Sequence, residues 1–235
     1  MRHIFFLVGL TLFLNGCQGQ ERLISAEQET VLKESLAYYL YFPEGYHKDV
    51  DKDFPLLLFL HGGGESGQHL EEIKKNGPPK LIAMGKEFPF LILAPQNPHE
   101  KGWWNIRAVN QLLDSIVATH RVDENRLYLT GLSRGGSAAW ELAVHYPKKF
   151  AAMAVVCGMA PSPYAHWLDK EMPIWVFHGE EDPVIPFSES QKMVDRLQQM
   201  GYQVKFTPYP DVGHNAWEFA YADDSLYDWF IRFGR

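Results

Sequence analysis

One serine, one aspartate and one histidine stand where they could act together in nucleophilic catalysis. The serine, Ser133, lies in Gly131-Leu-Ser-Arg-Gly135, between an apolar run and a segment with helical periodicity. A serine hydroxyl is a weak nucleophile at neutral pH, so it needs a base within hydrogen-bonding distance and a third group that orients the base. Glycines two residues before and two after a serine suit a sharp strand-to-helix turn that exposes the hydroxyl. We therefore predict that Ser133 is a nucleophile.

The candidate acid and base follow Ser133 along the chain, each after a predicted strand. Asp182 is the favoured acid, and the neighbouring Glu181 is the less favoured substitute. His214 is the candidate base because it is the only one of ten histidines on a glycine-marked loop after the last predicted strand. Asp211 is too close to His214 along the chain to orient it easily. Asp182 and His214 are therefore the candidate acid and base for Ser133.

Other residues with metal-binding or redox chemistry are predicted to be structural. His61 and His178 each end a predicted strand beside a glycine. The sequence contains no His-x-His or His-Glu-x-x-His spacing, so neither a metal site nor a cofactor is predicted. Cys157 lies in the apolar run Ala-Val-Val-Cys-Gly and is predicted to be an inert core thiol.

Alternating apolar runs and helical segments predict the elements that position the candidate triad. The unbroken apolar run over 55–61 is typical of a strand buried on both faces of a parallel sheet. Strands are predicted at 29–33, 36–42, 55–61, 90–94, 127–129, 151–157, 174–177 and 204–207, and helices at 70–75, 80–86, 106–120, 135–146, 188–200 and up to about 233. This alternation predicts the α/β class, with one doubly wound, mostly parallel sheet of about eight strands in a single domain over 29–235.

Composition supports an ordered domain and argues against nucleic-acid binding. The 235 residues are 46% hydrophobic and 22% charged, which is enough apolar material for a packed core. The formal net charge is −7 and no basic run is present, so a cationic face that would bind nucleic acid is not expected.

The first 28 residues are predicted to lie outside the domain. Arg2 precedes an apolar run over 4–14 that is too short to span a bilayer, and this pattern describes an export signal. Leu14-Asn-Gly-Cys17 resembles a bacterial lipobox. We therefore expect a signal peptide over 1–16, lipidation of Cys17, a polar tether over 17–28 and a location on a membrane of the bacterial cell envelope. Plain secretion with an incidental Cys17 is the alternative.

Several motifs resemble those of small esterases in the α/β-hydrolase superfamily: the phospholipase/carboxylesterases, the feruloyl-type esterases and the "predicted peptidase" group. The motifs are His61-Gly-Gly-Gly-Glu-Ser-Gly67, Ala94-Pro-Gln-Asn97, Trp104, Gly131-Leu-Ser-Arg-Gly-Gly136 and Gly213-His-Asn-Ala-Trp217. The resemblance covers about 36–235 and implies a nucleophile elbow at Ser133, followed along the chain first by the acid and then by the histidine. His178-Gly-Glu-Glu-Asp182 resembles the family pattern around the acid, which favours Asp182. The resemblance also implies an oxyanion hole formed by the backbone N–H groups of Arg134 and Gly63, with Gly64 as the alternative to Gly63.

The sequence leaves little room for a cap over the site. Only residues 158–172 separate the strands predicted at 151–157 and 174–177, which is too few for a cap domain. An uncapped site suits bulky or polymer-borne esters. Trp103, Trp104, Trp167 and Trp217 could form a stacking surface for a sugar or a phenolic acyl group, although packing within the fold is the favoured interpretation of Trp104 and Trp217.

Arg134 is unusual because a cation at a helix N-terminus opposes the helix dipole. Its side chain could reach the oxyanion, bind a substrate carboxylate such as a uronate, or point into solvent. A serine followed by arginine also resembles glucuronoyl esterases over these few residues. Taken together, the motifs and the predicted export signal lead us to expect an exported serine esterase that cleaves acyl or uronate esters on carbohydrates, including polysaccharides, through an acyl-enzyme. A serine peptidase and a non-catalytic surface carbohydrate-binding protein are the alternatives.

Overall fold

The structure is a computed structural model that describes residues 34–235. The predicted signal peptide, Cys17, the tether and the strand predicted at 29–33 all lie outside the described residues. Among the helices that are described, none combines the length and the apolar character needed to cross a membrane.

Seven strands and six α-helices alternate along residues 34–235. The strands are β1 (Tyr38–Tyr41), β2 (Phe54–Leu60), β3 (Leu91–Pro95), β4 (Val122–Leu132), β5 (Ala152–Val156), β6 (Ile174–Gly179) and β7 (Val204–Tyr209). The helices are α1 (Gly77–Ala83), α2 (Ile106–Thr119), α3 (Arg134–His145), α4 (Phe187–Gln199), α5 (Trp217–Ala222) and α6 (Asp224–Phe230). Short 3₁₀-helices occupy Gly63–Glu65, Leu70–Lys75 and Ser162–His166.

The strands form one sheet in the order β1-β3-β2-β4-β5-β6-β7. β1 pairs antiparallel with β3, and the other pairs are parallel. The predicted α/β class with a mostly parallel sheet is therefore confirmed. Seven strands fall within residues 34–235, and the remaining predicted strand is the one at 29–33.

Both faces of the sheet are covered, which explains the unbroken apolar run in β2. All seven residues of β2 are buried. Leu56 and Leu58 face the side covered by α2, α3 and α4, whereas Leu57 and Phe59 face the side covered by α5 and α6. Because successive side chains of a strand point to opposite faces, a strand buried on both sides needs apolar residues at every position.

Three helical segments differ from the predicted ones. The segment at Leu70–Lys75 is a 3₁₀-helix, and α1 begins at Gly77 rather than at 80, with prolines in its first turn, where their missing N–H groups are tolerated. The last predicted helix is two helices, α5 and α6. They separate at Asp223, which has extended backbone angles and accepts a hydrogen bond from the Ser225 N–H at 2.9 Å. This side-chain cap favours a new helix start over continuation of α5.

The connection between β5 and β6 leaves the carboxyl edge of the sheet accessible. It contains the 3₁₀-helix Ser162–His166 and short irregular segments, so no cap domain is inserted between these two strands. This agrees with the expectation of an uncapped site.

Candidate active site

The turn between β4 and α3 holds Ser133 in a strained conformation. Its φ of 52° and ψ of −121° are sparsely populated for a residue with a side chain. A Cβ on Gly131 would lie 2.3 Å from the Gly135 carbonyl oxygen, and a Cβ on Gly135 would lie 2.0 Å from the Leu60 carbonyl oxygen. Only glycine at both positions lets β2, β4 and α3 approach closely enough to form this turn. The Ser133 N–H donates to the Val156 carbonyl at 2.9 Å and ties the turn to β5.

Three predicted residues form a continuous hydrogen-bonded chain at the carboxyl edge of the sheet. The distance from Ser133 Oγ to His214 Nε2 is 2.8 Å, and that from His214 Nδ1 to Asp182 Oδ2 is 2.6 Å. Ser133 follows β4, Asp182 follows β6 and His214 follows β7. A proton on Nδ1, facing the carboxylate, leaves Nε2 able to accept the proton of the serine hydroxyl. The arrangement can therefore activate Ser133.

The environment of Asp182 keeps its carboxyl ionised. Its Oδ1 accepts hydrogen bonds from the N–H groups of Val184 at 2.8 Å and Ile185 at 2.9 Å. Burial of the carboxyl raises its pKa, but the hydrogen bonds from His214, Ile185 and Val184 outweigh burial and bring the pKa below its usual value. The alternative acid, Glu181, is exposed. The structure thus brings Asp182, and not Glu181, to His214.

A second buried histidine, His178, supports the loop that carries Asp182. Its Nε2 lies 2.9 Å from the Ile185 carbonyl oxygen and 3.2 Å from Asp182 Oδ2, and its Nδ1 lies 2.7 Å from Ser190 Oγ. Burial lowers the pKa of His178, which keeps the ring neutral. The Cys157 thiol is close enough to Asp182 and His178 to share a metal ion with them. However, burial raises the pKa of Cys157 to about 12, so the thiolate that a metal requires is disfavoured.

His61 holds the glycine-rich loop that follows β2. Its Nδ1 lies 2.7 Å from the Gly62 carbonyl oxygen, and its Nε2 accepts a hydrogen bond from the Asn97 N–H at 3.0 Å. Burial lowers the pKa of His61 to about 4, so the ring is neutral at pH 7. This histidine therefore has the structural position predicted from its place at the end of a strand.

The two residues predicted to form the oxyanion hole lie beside each other. Gly63 and Arg134 both line the pocket above Ser133. A Cβ on Gly63 would lie 2.8 Å from Nη2 of Arg134, so a larger residue at 63 would require the guanidinium group to shift. Gly64 also lines the pocket, and a Cβ there would meet nothing within 4 Å. Both glycines therefore lie at the pocket, and Gly63 is the one that packs against Arg134.

The Arg134 side chain is tied to neighbouring loops and does not simply point into solvent. Its Nη1 donates hydrogen bonds to the carbonyl oxygens of Glu100 at 3.0 Å and Gly102 at 3.1 Å, and to Ser66 Oγ at 3.3 Å. These contacts connect the start of α3 with the loop after β2 and the loop after β3. The solvent-facing alternative for Arg134 is therefore wrong.

A pocket of about 470 Å³ opens above Ser133 and His214. Trp103 and Trp217 both line this pocket. The ring centroids of Trp217 and His214 lie 5.1 Å apart in an edge-to-face arrangement. The Trp103 indole N–H donates to the Glu141 carboxylate at 2.8 Å. The pocket therefore presents two indole rings beside the reactive groups.

Two of the tryptophans predicted to contact substrate lie elsewhere. Trp104 is buried and packs against the His61 ring at 4.8 Å, so the substrate-binding prediction for it is wrong and the packing interpretation holds. Trp167 is about half exposed, packs against Tyr164 and does not line the pocket. Trp217, by contrast, forms part of the pocket wall.

Sequence reasoning overlooked Glu65 and Asn76, which also line the pocket. Glu65 is almost fully buried and accepts a hydrogen bond from the Asn76 side chain at 2.6 Å. The only sequence signal was an acidic residue inside the glycine-rich run after β2. Asn76 carried no signal, because its contact with the pocket depends on how the chain returns to the edge of the sheet.

A strained serine turn at the carboxyl edge of a mostly parallel sheet, with an acid and a histidine on later loops, defines the α/β-hydrolase fold. The family model described as phospholipase/carboxylesterase matches residues 88–227, which is more than half of the chain. The chain belongs to this family.

Curated relatives and solved structures agree with this assignment. Acyl-protein thioesterase 1 of Neurospora crassa is 30% identical over 205 residues, covering 68% of this chain and 80% of that protein. Probable feruloyl esterase C of Aspergillus terreus is 27% identical, covering 79% of this chain and 68% of that protein. A thermostable esterase has a TM-score of 0.73 at 29% identity, covering 85% of this chain and 60% of that chain. A ferulic acid esterase with a TM-score of 0.64 and 18% identity shares the fold. The chain is therefore a carboxylic ester hydrolase of the serine esterase type.

Proposed function

We propose that the protein hydrolyses acyl or uronate esters carried by carbohydrates, with Ser133 as the nucleophile, His214 as the base and Asp182 as the acid that orients the base. The observation that carries this proposal is the hydrogen-bonded chain from Ser133 Oγ through His214 to Asp182, at the base of an open pocket.

The proposed reaction has two halves that share one set of residues. His214 Nε2 takes the proton of Ser133 as Oγ attacks the ester carbonyl carbon. The carbonyl oxygen becomes an oxyanion, which the backbone N–H groups of Gly63 and Arg134 stabilise. Collapse of this intermediate breaks the bond to the leaving oxygen, and His214 returns the proton to the departing alcohol. Water then attacks the acyl-enzyme in the same way, releasing the acid and restoring the Ser133 hydroxyl.

The shape and lining of the pocket support a carbohydrate-linked substrate. No cap domain stands between β5 and β6, so the ester of a large molecule can reach Ser133 from solvent. The indole rings of Trp103 and Trp217 offer apolar faces on which a sugar or a phenolic acyl group can pack. The similarity to a probable feruloyl esterase is consistent with an acyl group of this kind.

Replacing the nucleophile tests the proposed chemistry. Ser133→Ala should lower kcat on p-nitrophenyl acetate by roughly 10⁴- to 10⁶-fold, because the covalent route is lost. A fluorophosphonate probe should label the wild type, and the label should persist in Ser66→Ala and Ser137→Ala, which remove nearby hydroxyls. Labelling that survives Ser133→Ala would refute the assignment.

The proposed substrate class requires a separate comparison. The protein should hydrolyse acetylated, feruloylated and uronate-ester sugars faster than it hydrolyses peptide amides that carry the same acyl groups. The reason is that an amide has the poorer leaving group. Faster turnover of the amides would contradict the ester proposal in favour of the peptidase alternative.

We also propose export and lipid anchoring through Cys17, on the grounds of the sequence over 1–17. One acyl chain binds a membrane only marginally, so stable anchoring implies more than one chain on Cys17. Cys17→Ser should move the protein out of the membrane fraction, whereas Cys157→Ser, the matched cysteine variant, should leave it there. Mass spectrometry that finds an unmodified mature N-terminus at another residue would exclude the anchor.

A further inference from the structure

One wall of the active-site pocket is a hydrogen-bonded chain of three side chains, Glu65, Asn76 and Trp217, which we name the Glu65 wall. Asn76 Nδ2 donates to Glu65 Oε1 at 2.6 Å, and the Trp217 indole N–H donates to Asn76 Oδ1 at 3.1 Å. All three residues line the pocket, and the Trp217 ring lies against the His214 ring. This series of hydrogen bonds therefore links the buried acid Glu65 to the indole ring that packs against His214.

The second carboxylate oxygen of Glu65 and the Ser133 side chain both border Gly62. A Cβ on Gly62 would lie 3.1 Å from Glu65 Oε2 and 3.5 Å from Ser133 Cβ. A carboxylate can accept about four hydrogen bonds, and the Asn76 side chain supplies one of them. The group thus retains acceptor capacity in a pocket that it lines.

The proposed proton transfers do not require Glu65. His214 is oriented by Asp182, and no step of the proposed reaction uses a second carboxylate. Holding Asn76 requires only a neutral acceptor such as an amide or a carbonyl oxygen. Glu65 is 3% exposed, and burying a carboxylate is costly unless it has polar partners. A bound substrate with hydroxyl groups would supply such partners.

We propose that the Glu65 wall recognises a free hydroxyl group on the substrate next to the scissile ester. In this proposal Glu65 Oε2 accepts the hydroxyl hydrogen, and the Trp217 indole packs against the carbon face of the same ring. The inference rests on the proposed ester hydrolysis and narrows its substrate to esters of partly unprotected sugars or related polyols. An anionic group at that position would be repelled by the carboxylate.

Two acetate esters that differ only in hydroxyl groups test the inference. The first, 6-O-acetyl-1,5-anhydroglucitol, carries three free ring hydroxyls, whereas tetrahydropyran-2-ylmethyl acetate keeps the ring and its oxygen but lacks them. The ratio of their kcat/KM values should favour the sugar ester in the wild type and fall about 10- to 100-fold in Glu65→Gln, because a charge-assisted hydrogen bond is lost. Gln retains a carbonyl oxygen for Asn76. A ratio that stays within twofold of the wild type would overturn the inference.

Two further variants separate recognition from a general effect of charge or folding. Glu65→Asp keeps the charge but withdraws the carboxylate by one methylene group, so it should also lower the ratio. Glu218→Gln removes an exposed acid next to Trp217 in the chain and should stay within twofold of the wild type. A fall of the same size in Glu218→Gln would overturn the inference, because it would show a general charge effect.

Binding without turnover distinguishes this inference from the proposed reaction. In Ser133→Ala, the Kd ratio of the two esters should favour the sugar ester by at least about tenfold, and addition of Glu65→Gln should remove that preference. Equal Kd values for the two esters in Ser133→Ala would overturn hydroxyl recognition even if the wild type cleaves both. Failure of the wild type to cleave p-nitrophenyl acetate would instead count against the proposed reaction, and the Kd ratio would still decide the inference.

Discussion

Asp182 is the residue on which the orientation of His214 depends. The carboxylate accepts from His214 Nδ1 at 2.6 Å and is itself held by two backbone N–H groups. An asparagine would offer an amide N–H₂ group or a neutral oxygen and would favour the wrong histidine tautomer. We predict that Asp182→Asn lowers kcat on p-nitrophenyl acetate by roughly 10⁴-fold, as in other serine triads, measured by steady-state kinetics.

The matched control for this prediction is Glu181→Gln. Glu181 is exposed and adjacent in the chain, so its replacement should change kcat by less than about twofold. Equal losses in the two variants would show that Asp182 is not the orienting acid.

Arg134 connects two loops that border the nucleophile through its hydrogen bonds to Ser66, Glu100 and Gly102. Arg134→Ala frees both loops and removes the side chain that packs against Gly63. We predict that kcat/KM falls by about tenfold on neutral acetyl esters and on uronate esters alike, because both reactions use the same oxyanion hole. Steady-state kinetics with one substrate of each class measures the effect.

The control for Arg134 is Arg107→Ala, an exposed arginine on α2, which should change either rate by less than about twofold. A loss confined to uronate esters would replace this explanation with a salt bridge between Arg134 and a substrate carboxylate.

The turn between β4 and α3 depends on contact between main chains. A Cβ on Gly135 would lie 2.0 Å from the Leu60 carbonyl oxygen, and a strand backbone cannot move aside as a side chain can. We predict that Gly135→Ala lowers the free energy of unfolding by more than about 2 kcal/mol, measured by urea denaturation, and abolishes esterase activity.

Gly64→Ala is the matched control for the turn. It makes the same chemical change in a loop of the same pocket, but a Cβ there meets nothing within 4 Å. Its free energy of unfolding should stay within about 1 kcal/mol of the wild type. If Gly135→Ala were as stable as Gly64→Ala, the close approach of β2 and α3 would not be essential to the fold.

The stability of the whole domain should depend on pH through its buried neutral histidines. Burial lowers the pKa of His61 to about 4, compared with about 6.5 in an unfolded chain. Between these values the unfolded state binds more protons, so stability is full above pH ~6.5 and falls as the pH drops toward 4. His61 alone should contribute a loss of about 3 kcal/mol over this range, and His178 should act in the same direction.

Urea denaturation at several pH values between 4 and 7.5 measures this dependence. His61→Asn should flatten the pH dependence of the unfolding free energy, whereas His69→Gln, which removes an exposed histidine, should leave it as steep as in the wild type. An equally steep dependence in His61→Asn would show that other groups cause the acid sensitivity.

Local patterns in the sequence were sufficient to predict most of the sheet and the positions of the three central residues. The apolar run in β2 required burial on both faces, and glycines at 131 and 135 required a tight turn at Ser133. Asp182 and His214 could be selected because each follows a strand, and parallel strands bring their carboxyl ends to one edge. Periodicity and turn chemistry act over a few residues, so they can be recognised without knowing which distant segments meet.

Side-chain directions and contacts between distant segments were decided only by the tertiary structure. Trp104 and Trp217 have similar intrinsic chemistry, yet one packs behind His61 and the other lines the pocket. Trp217 meets Asn76 across 141 positions in the chain, and the Arg134 guanidinium group reaches carbonyls at 100 and 102. Such contacts depend on how loops from separate strands pack together, and no periodic pattern in the sequence encodes that packing.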